Sequence, residues 1–286
     1  MAVPSAHQGR PRESAVVDAS PGRPQPDRPT LGDVIGGLPY RLALAGGWID
    51  QPFISTLNPE PPGSMVVVSL EPTVRYMERS GMATGTRATA LGLWGDTLPS
   101  RDPRDLVREL YEAENRTLVE PSGSQDMVGM IVPGISRLDY DAAIDEGRFP
   151  SHVESTSDRA TISWLEDVIR LIPVGPRPQG YSPLGTKRLD PAWIRRLGRS
   201  GRDCYEAILR HDLAALGASM AECSLAWDAI LPDTLAHPTI QLDLKALLAS
   251  YHSAYPGAMY SGCGGGYLIV AADADVPGSF QITVRA

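Results

Sequence analysis

The segment Ser261-Gly-Cys-Gly-Gly-Gly266 constrains the fold more than any other part of the 286-residue sequence. Three consecutive glycines let a ligand or another stretch of backbone approach closely, because no side chain stands in the way. The residues that follow, 267–272, read Tyr-Leu-Ile-Val-Ala-Ala and favour a strand. A Rossmann dinucleotide-binding loop is followed by a helix, so this pattern disfavours that fold. The alternative to a ligand-binding loop is a strained hairpin turn.

A second glycine-rich segment, Gly81-Met-Ala-Thr-Gly-Thr-Arg87, precedes a helix that we predict over residues 88–94. Flexible N–H groups, two hydroxyls and a guanidinium before a helix start suit an anionic phosphate. The segment does not have the GxxxxGK[ST] pattern of a Walker A loop. It is therefore either another kind of phosphate loop or an ordinary loop with a capping threonine. The sequence contains no GxSxG elbow, so it does not support a serine hydrolase.

Two carboxylates, Glu114 and Asp126, are candidates for chemistry. Glu114 lies on a helix predicted from Asp102 onwards, with Pro103 in its first turn. Asp126 follows a glycine- and serine-rich turn, at the start of a short helix or turn. A carboxylate near a helix N-terminus stays ionised and can accept a proton from a hydroxyl. The structural alternatives are an N-terminal cap for Asp126 and a solvated helix residue for Glu114.

The mixture of strands and helices predicts an α/β (α+β) protein in two layers, with a boundary near residue 155. Further strands are predicted over residues 41–45, 64–70, 167–174 and 280–284. Apolar residues at helical spacing predict one helix through residues 205–223, and another covers residues 242–251. The second half then contains a strand, helices and two strands, which is typical of an α+β sandwich.

Composition excludes several classes of protein. The longest apolar runs are strand-sized and no basic segment with an apolar stretch opens the chain, which argues against a membrane span and a secretory signal. Three cysteines without CxxC spacing indicate reduced thiols in a cytoplasmic protein. A net charge of −8 argues against nucleic-acid binding, and five scattered histidines argue against a zinc site. Residues 1–30 hold six prolines and no aromatics, which predicts a disordered Pro-rich tail.

Four motifs in this order resemble the GHMP kinases, particularly the branch of heptose-phosphate and fucose kinases. The first motif of that branch, R-I-S-F-A-G-G-G-T-D, is similar to residues 41–50, Arg-Leu-Ala-Leu-Ala-Gly-Gly-Trp-Ile-Asp. Its acidic motif, G-K-Q-D-Q, resembles residues 123–127, and Glu114 stands twelve residues before Asp126, as a helical glutamate does in the family. Its G-x-G-G-G loop resembles residues 262–266. The resemblance implies a two-domain fold, with an N-terminal S5-like nucleotide-binding domain over residues 31–155 and a C-terminal ferredoxin-like α/β sandwich over residues 156–286.

The resemblance also implies an activity, namely ATP-dependent phosphorylation of a hydroxyl on a sugar, sugar phosphate or cyclitol, with Mg²⁺ as the metal. Asp126 would be the base or the charge that orients the hydroxyl, and Arg41 would be its ionic neighbour. Glu114 would bind Mg²⁺ together with a hydroxyl of Thr84 or Thr86. The nucleotide phosphates would meet the loop residues Gly81, Ala83, Thr84, Gly85, Thr86 and Arg87. The substrate would meet Asp50, Trp48, Gly264 and Gly265.

Two segments depart from the family pattern, one in the phosphate loop and one in the first motif. The family's phosphate loop reads G-L-G-S-S-A where this chain has residues 83–88, Ala-Thr-Gly-Thr-Arg-Ala, and we expect the Arg87 guanidinium to face the nucleotide phosphates. Trp48 replaces a glycine; if its segment runs extended, it shares a side with Asp50 and lies against the substrate ring, and otherwise it packs into the core. Gly175-Pro-Arg177 resembles a later family segment only loosely, and no role follows for Arg177.

Two other functions stand beside the sugar kinase. One is a non-catalytic homologue that binds a sugar or nucleotide, which the altered loop favours and the retention of Glu114 and Asp126 disfavours. The other is a GHMP kinase acting on a non-sugar alcohol, which the polar Asp50 motif disfavours. The expected partners are a small-molecule polyol and ATP, with no nucleic acid and no membrane, and the expected assembly is a monomer or homodimer.

Overall fold

The computed structural model describes residues 36–118 and 121–286, and the predicted tail of residues 1–30 lies outside them. The first antiparallel sheet has the strand order β1-β2-β3-β4. Its strands are β1 (Tyr40–Ala43), β2 (Gly63–Leu70), β3 (Ile135–Tyr140) and β4 (His152–Thr156). Every residue of β2 is buried, because this strand lies between β1 and β3 and is covered by helices. The strands predicted at residues 41–45 and 64–70 are confirmed, whereas β3 and β4 were not predicted.

Four helices of the described residues belong to the first half of the chain: α1 (Pro52–Ser55), α2 (Thr84–Trp94), α3 (Pro103–Asn115) and α4 (Gln125–Ile131). Helix α3 begins where predicted, and the Asp102 carboxylate accepts a 2.8 Å hydrogen bond from the Arg104 N–H. Helix α2 begins at Thr84 rather than at Ala88, so residues 84–87 of the glycine-rich segment are its first turn. Threonine and glycine have low helix propensity, which is why the sequence pattern assigned this turn to a loop.

The second antiparallel sheet has the strand order β6-β7-β5-β8. Its strands are β5 (Ile169–Gly175), β6 (Gly257–Gly262), β7 (Gly265–Ala271) and β8 (Phe280–Gln281). The helices of this half are α5 (Arg159–Val168), α6 (Pro191–Leu209), α7 (Leu213–Ile230) and α8 (Leu244–Ala254). The two sheets with their helices confirm the predicted α/β (α+β) class.

Two predicted elements are divided in the structure, and a third begins later than predicted. The strand predicted from residue 167 begins at Ile169, because the two residues before it end α5. The single helix predicted through residues 205–223 is two helices, α6 and α7. His211 between them has φ +54°, and the Asp212 carboxylate caps α7 by accepting a 3.0 Å hydrogen bond from the Ala215 N–H. The predicted edge strand 280–284 divides as well, since Val284 bridges to Leu70 of the first sheet.

The two halves of the chain are in close contact. Helix α6 packs against β2, and buried residues of both sheets belong to one hydrophobic cluster. The C-terminal segment returns to the first sheet, where the Arg285 N–H donates to the Ser69 carbonyl at 2.8 Å. The domain boundary near residue 155 therefore stays a prediction. No helix within residues 36–118 and 121–286 combines the length and apolar character that crossing a membrane requires.

Candidate active site

A small cavity of about 200 Å³ lies where β1, the turn after it, α4, α7 and the β6–β7 hairpin converge. Its wall combines charged, amide and indole side chains. These side chains belong to Arg41, Trp48, Gln125, Asp126, Arg177 and Trp227. The cavity is smaller than the roughly 300–1,000 Å³ typical of drug-sized ligand sites, so its size suits a small polar molecule.

An ion pair between Arg41 on β1 and Asp126 in the first turn of α4 forms the charged centre of this wall. Arg41 contacts Asp126 through Nη2, and its Nη1 donates to the Gly81 carbonyl at 3.2 Å. The Thr86 hydroxyl donates to Asp126 Oδ2 at 3.3 Å. The structure thus brings three sequence motifs together at one carboxylate.

Arg41 is almost completely buried, with 5% of its surface exposed. Burial lowers the pKa of its guanidinium to about 10, while the Asp50 charge raises the pKa and the Arg177 charge lowers it further. A pKa near 10 still leaves the guanidinium charged at neutral pH. Asp126 therefore faces a fixed cation, which favours its ionised form.

The N-terminus of α2 provides unpaired backbone donors beside the ion pair. Ala83 precedes the helix in a left-handed conformation with φ +55°, and no side chain caps the helix. The N–H groups of Thr84, Gly85 and Thr86 have no intrahelical acceptor, since the first turn of any helix lacks one. Gly85 is exposed, and no neighbouring atom lies within 4 Å of the position of its missing Cβ. This turn can bind an anion through its N–H groups and the helix dipole.

The two glycine-rich segments contact each other. Residues 261–266 form the end of the β6–β7 hairpin, as the hairpin alternative predicted. Gly81 has φ +78°, and a Cβ there would lie 2.5 Å from the Ser261 carbonyl oxygen. Gly262 approaches the same backbone from the other side, because a Cβ at Gly262 would lie 2.9 Å from the Gly81 Cα. Glycine is required at both positions by this backbone approach.

Gly264 and Gly265, expected to meet the substrate, lie away from the cavity wall. A Cβ at Gly264 would lie 2.6 Å from the Tyr181 ring, and one at Gly265 would lie 3.2 Å from the Gly175 carbonyl oxygen. The hairpin residues on the wall are instead Ser261, Gly262 and Cys263.

Glu114 near the end of α3 is half-buried and is partly satisfied within the protein. Its Oε1 accepts a 3.1 Å hydrogen bond from the Ser122 hydroxyl, whereas its Oε2 is buried without a partner. Within the described ranges, no three His, Cys, Asp or Glu side chains form a metal-binding group. Mg²⁺ usually binds one or two carboxylates together with substrate phosphates, so the unpartnered Oε2 of Glu114 fits this ion without a dedicated cage.

The segment after β1 turns rather than running extended. The Ile49 N–H donates to the Gly46 carbonyl at 3.2 Å, and the Gln51 N–H donates to the Trp48 carbonyl at 3.0 Å. Trp48 itself has φ +82°, a conformation that favours glycine. The expectation that Trp48 and Asp50 share one face of an extended segment is therefore wrong. Trp48 is on the cavity wall, whereas Asp50 is completely buried behind it.

Asp50 supports the cavity wall through Gln125. The Gln125 side-chain amide donates to Asp50 Oδ1 at 3.3 Å, while Oδ2 is buried without a partner. Burial raises the pKa of the Asp50 carboxyl to about 6, although the Arg41 charge and hydrogen bonds from Gln125 act to lower it. Gln125, rather than the predicted Asp50, is one of the residues that line the cavity.

Arg87 was expected to face the nucleotide phosphates, and its position does not support that expectation. Its Nε donates to the Leu38 carbonyl at 3.0 Å, and its guanidinium lies 4.5 Å from the centre of the Tyr40 ring. Because α2 begins at Thr84, residue 87 is already one turn into the helix and its side chain is directed at the segment before β1.

Three residues of the wall had no role in the sequence analysis. Gln125 stands beside Asp126 in the acidic motif, so its position was a usable signal. Arg177 follows β5, where the motif match was loose. Trp227 comes from the last turn of α7, and its indole N–H donates to the Gly47 carbonyl at 2.9 Å across 180 residues of sequence. Nothing local in the sequence indicates that contact.

No family model matches the chain, and no protein with a curated description matches it either. Solved structures of kinases do match. A Lactococcus lactis galactokinase complexed with galactose has 10% identity and a TM-score of 0.55, covering 88% of this chain and 93% of its own. A putative sugar kinase from Campylobacter jejuni has 13% identity and a TM-score of 0.52, covering 82% and 86%.

A D-glycero-D-manno-heptose 1-phosphate kinase from Bacteroides thetaiotaomicron has 11% identity and a TM-score of 0.50, covering 87% of this chain and 96% of its own. Identities this low establish a shared fold alone, and the coverage extends over both halves of the chain. The chain therefore has the GHMP kinase fold.

Proposed function

We propose that this protein is an ATP-dependent small-molecule kinase that phosphorylates a hydroxyl of a sugar, sugar phosphate or cyclitol. The observation that carries the proposal is the meeting of Arg41, Asp126 and Thr86 beside the open N-terminus of α2. Phosphoryl transfer needs an oriented hydroxyl, positioned phosphates and compensation of charge, and these groups can supply all three.

Asp126 would orient the acceptor hydroxyl and accept its proton. The ion pair with Arg41 and the hydrogen bond from Thr86 hold this carboxylate in one place. Arg41 remains protonated at neutral pH, because the pKa of its guanidinium is about 10 even after burial. It therefore keeps Asp126 ionised before the acceptor binds.

The first turn of α2 would bind the nucleotide phosphates. The N–H groups of Thr84, Gly85 and Thr86 would donate to phosphate oxygens, and the exposed position of Gly85 leaves room for them. Glu114 would hold Mg²⁺ through its unpartnered Oε2. Bound there with the nucleotide, Mg²⁺ supplies neutralisation of the phosphate charge.

The polyhydroxy character of the acceptor is supported by the composition of the cavity wall. Trp48 and Trp227 contribute aromatic rings to the wall, and Gln51 and Gln125 are polar residues on the same wall. A sugar or cyclitol ring has apolar faces and a rim of hydroxyls, which matches this combination. The volume of about 200 Å³ suits one such ring.

A screen of Mg²⁺–ATP with sugars, sugar phosphates and cyclitols, reading ADP release, tests the proposal. Acceptor-dependent ADP release that is lost in Asp126→Asn is the expected result. ATP binding without ADP release for any acceptor would instead indicate a non-catalytic homologue. Acceptor-dependent turnover with only non-sugar alcohols would contradict the substrate class while retaining the kinase.

A further inference from the structure

Arg177 places a second guanidinium on the cavity wall, beside that of Arg41. Its backbone N–H donates to the Arg79 carbonyl at 3.1 Å, which fixes the loop after β5. Its guanidinium lies against the hairpin, since a Cβ at Gly262 would be 2.6 Å from Nη2. Among the described residues its side chain makes no ion pair or hydrogen bond, and its Nε is buried without a partner.

No carboxylate on the cavity wall is paired with Arg177 among the described residues. The charged residues on the wall itself are Arg41, Arg177 and Asp126, and the buried Asp50 carboxylate also acts on Arg41. Asp126 is already paired with Arg41. Burial lowers the pKa of the Arg41 guanidinium, the Asp50 charge raises it, and the Arg177 charge lowers it. The two guanidinium groups therefore repel each other. A partly buried cation without a counter-charge is costly unless a ligand supplies one.

We propose that Arg177 binds a phosphoryl group of a ligand in this cavity. A planar guanidinium can donate two parallel hydrogen bonds to phosphoryl oxygens, and a phosphoryl group between the two guanidinium groups of the wall would offset their repulsion. The source of the group rests on the proposed kinase function. It is either the phosphoryl group that the nucleotide transfers or a phosphate that the acceptor already carries.

Calorimetric titration of the full chain with inorganic phosphate tests the site without any turnover. The variants are Arg177→Met, Arg177→Lys and the control Arg75→Met, which removes the same charge from an exposed position outside the cavity wall. Loss of a charge-assisted contact weakens binding by about 10- to 100-fold, so we expect that change in Arg177→Met. Arg177→Lys should retain part of the affinity, because it keeps the charge without the planar fork. Arg75→Met should bind phosphate as the unaltered chain does.

Equal phosphate binding by the unaltered chain and Arg177→Met would overturn the proposal, and so would the absence of phosphate binding by the unaltered chain. Thermal unfolding of each variant shows whether a loss of phosphate affinity comes from misfolding. If Arg177→Met does not fold, the phosphate affinity of Arg177→Lys is compared with that of the unaltered chain instead. Titrations with ATP and ADP distinguish the two sources. Weaker ATP binding with unchanged ADP binding in Arg177→Met assigns the contact to the transferred group, and unchanged binding of both assigns it to the acceptor. A failure of the kinase screen leaves the phosphate result standing, so the two proposals fail separately.

Discussion

Replacing Asp50 with asparagine tests the electrostatics of the candidate site through stability alone. The Asp50 carboxyl has no exposed surface, and burial raises its pKa from 3.8 to about 6 even though the Arg41 charge acts in the opposite direction. The folded protein therefore holds this proton more tightly than the unfolded chain does. As a consequence, the free energy of unfolding falls as the pH rises from about 4 to about 6 and is constant above that range. The difference between 3.8 and about 6 corresponds to about 3 kcal/mol.

We expect Asp50→Asn to remove this pH dependence, because an amide does not titrate. The readout is how the unfolding free energy of Asp50→Asn changes with pH, rather than its value at a single pH. The site of Oδ2 has no hydrogen-bond partner, so an Nδ2 group there would cost about 1–3 kcal/mol at every pH. Urea unfolding of the unaltered chain, Asp50→Asn and the control Asp273→Asn, which removes an exposed carboxylate, measures the effect between about pH 5 and about pH 8.

Over that range the unaltered chain should lose about 1–2 kcal/mol of unfolding free energy relative to Asp50→Asn. Asp273→Asn should follow the unaltered chain. Parallel pH profiles for the unaltered chain and Asp50→Asn would refute the reasoning, because they would show that burial does not control the protonation of this carboxyl.

Three further substitutions test individual side chains. Asp126→Asn should reduce turnover by about 10²- to 10⁴-fold with little change in ATP affinity, and near-normal turnover would remove Asp126 from the mechanism. Arg87→Ala should lower the unfolding free energy by about 1–3 kcal/mol through loss of its contacts with Leu38 and Tyr40, with ATP affinity unchanged. A 10- to 100-fold weaker ATP affinity, measured by calorimetry, would instead support a contact between Arg87 and the nucleotide phosphates. Trp48→Gly should weaken acceptor binding, while the stability loss stays below the about 3–5 kcal/mol of a core aromatic truncation, because glycine is favoured at φ +82°. A large drop in melting temperature with unchanged acceptor preference would contradict the Trp48 prediction.

The fold class followed from the sequence because its strongest signals are local. The apolar runs of β2 and β7 are buried along their whole length, so their hydrophobic character indicates strands directly. Strand β4 carries exposed and half-buried residues in the sequence His-Val-Glu-Ser-Thr, and only pairing with β3 makes it a strand. The break between α6 and α7 was missed for a similar reason. Apolar residues keep helical spacing across it, while the interruption depends on the left-handed backbone of His211.

Some residues of the candidate site could be predicted from the sequence and others could not. Motif order indicated that Arg41, Asp126 and the residues of the glycine-rich segment belong together, and the structure brings them into contact. Arg177 and Trp227 reach the cavity from β5 and α7, whose positions depend on packing of the second half against the first. A motif carries no information about such an approach. The same limit explains why the sequence predicted Asp50 as a substrate ligand, whereas the structure buries Asp50 completely and places Gln125 on the wall.

The two glycine-rich segments show how a correct motif can be given an incomplete physical reason. Taken separately, each segment looks like a cradle whose bare backbone meets a ligand. In the folded chain, Gly81 and Gly262 are bare because they meet each other, and a Cβ at Gly262 would also collide with Arg177. Anion binding then falls to the first turn of α2, where Gly85 faces open space and the helix N–H groups have no acceptor. The glycines at the contact bring the hairpin and Arg177 next to the Arg41–Asp126 ion pair, so their effect on a ligand is indirect. Alanine at Gly262 should therefore disturb the position of Arg177, whereas alanine at Gly85 meets no protein atom and should act only on the ligand.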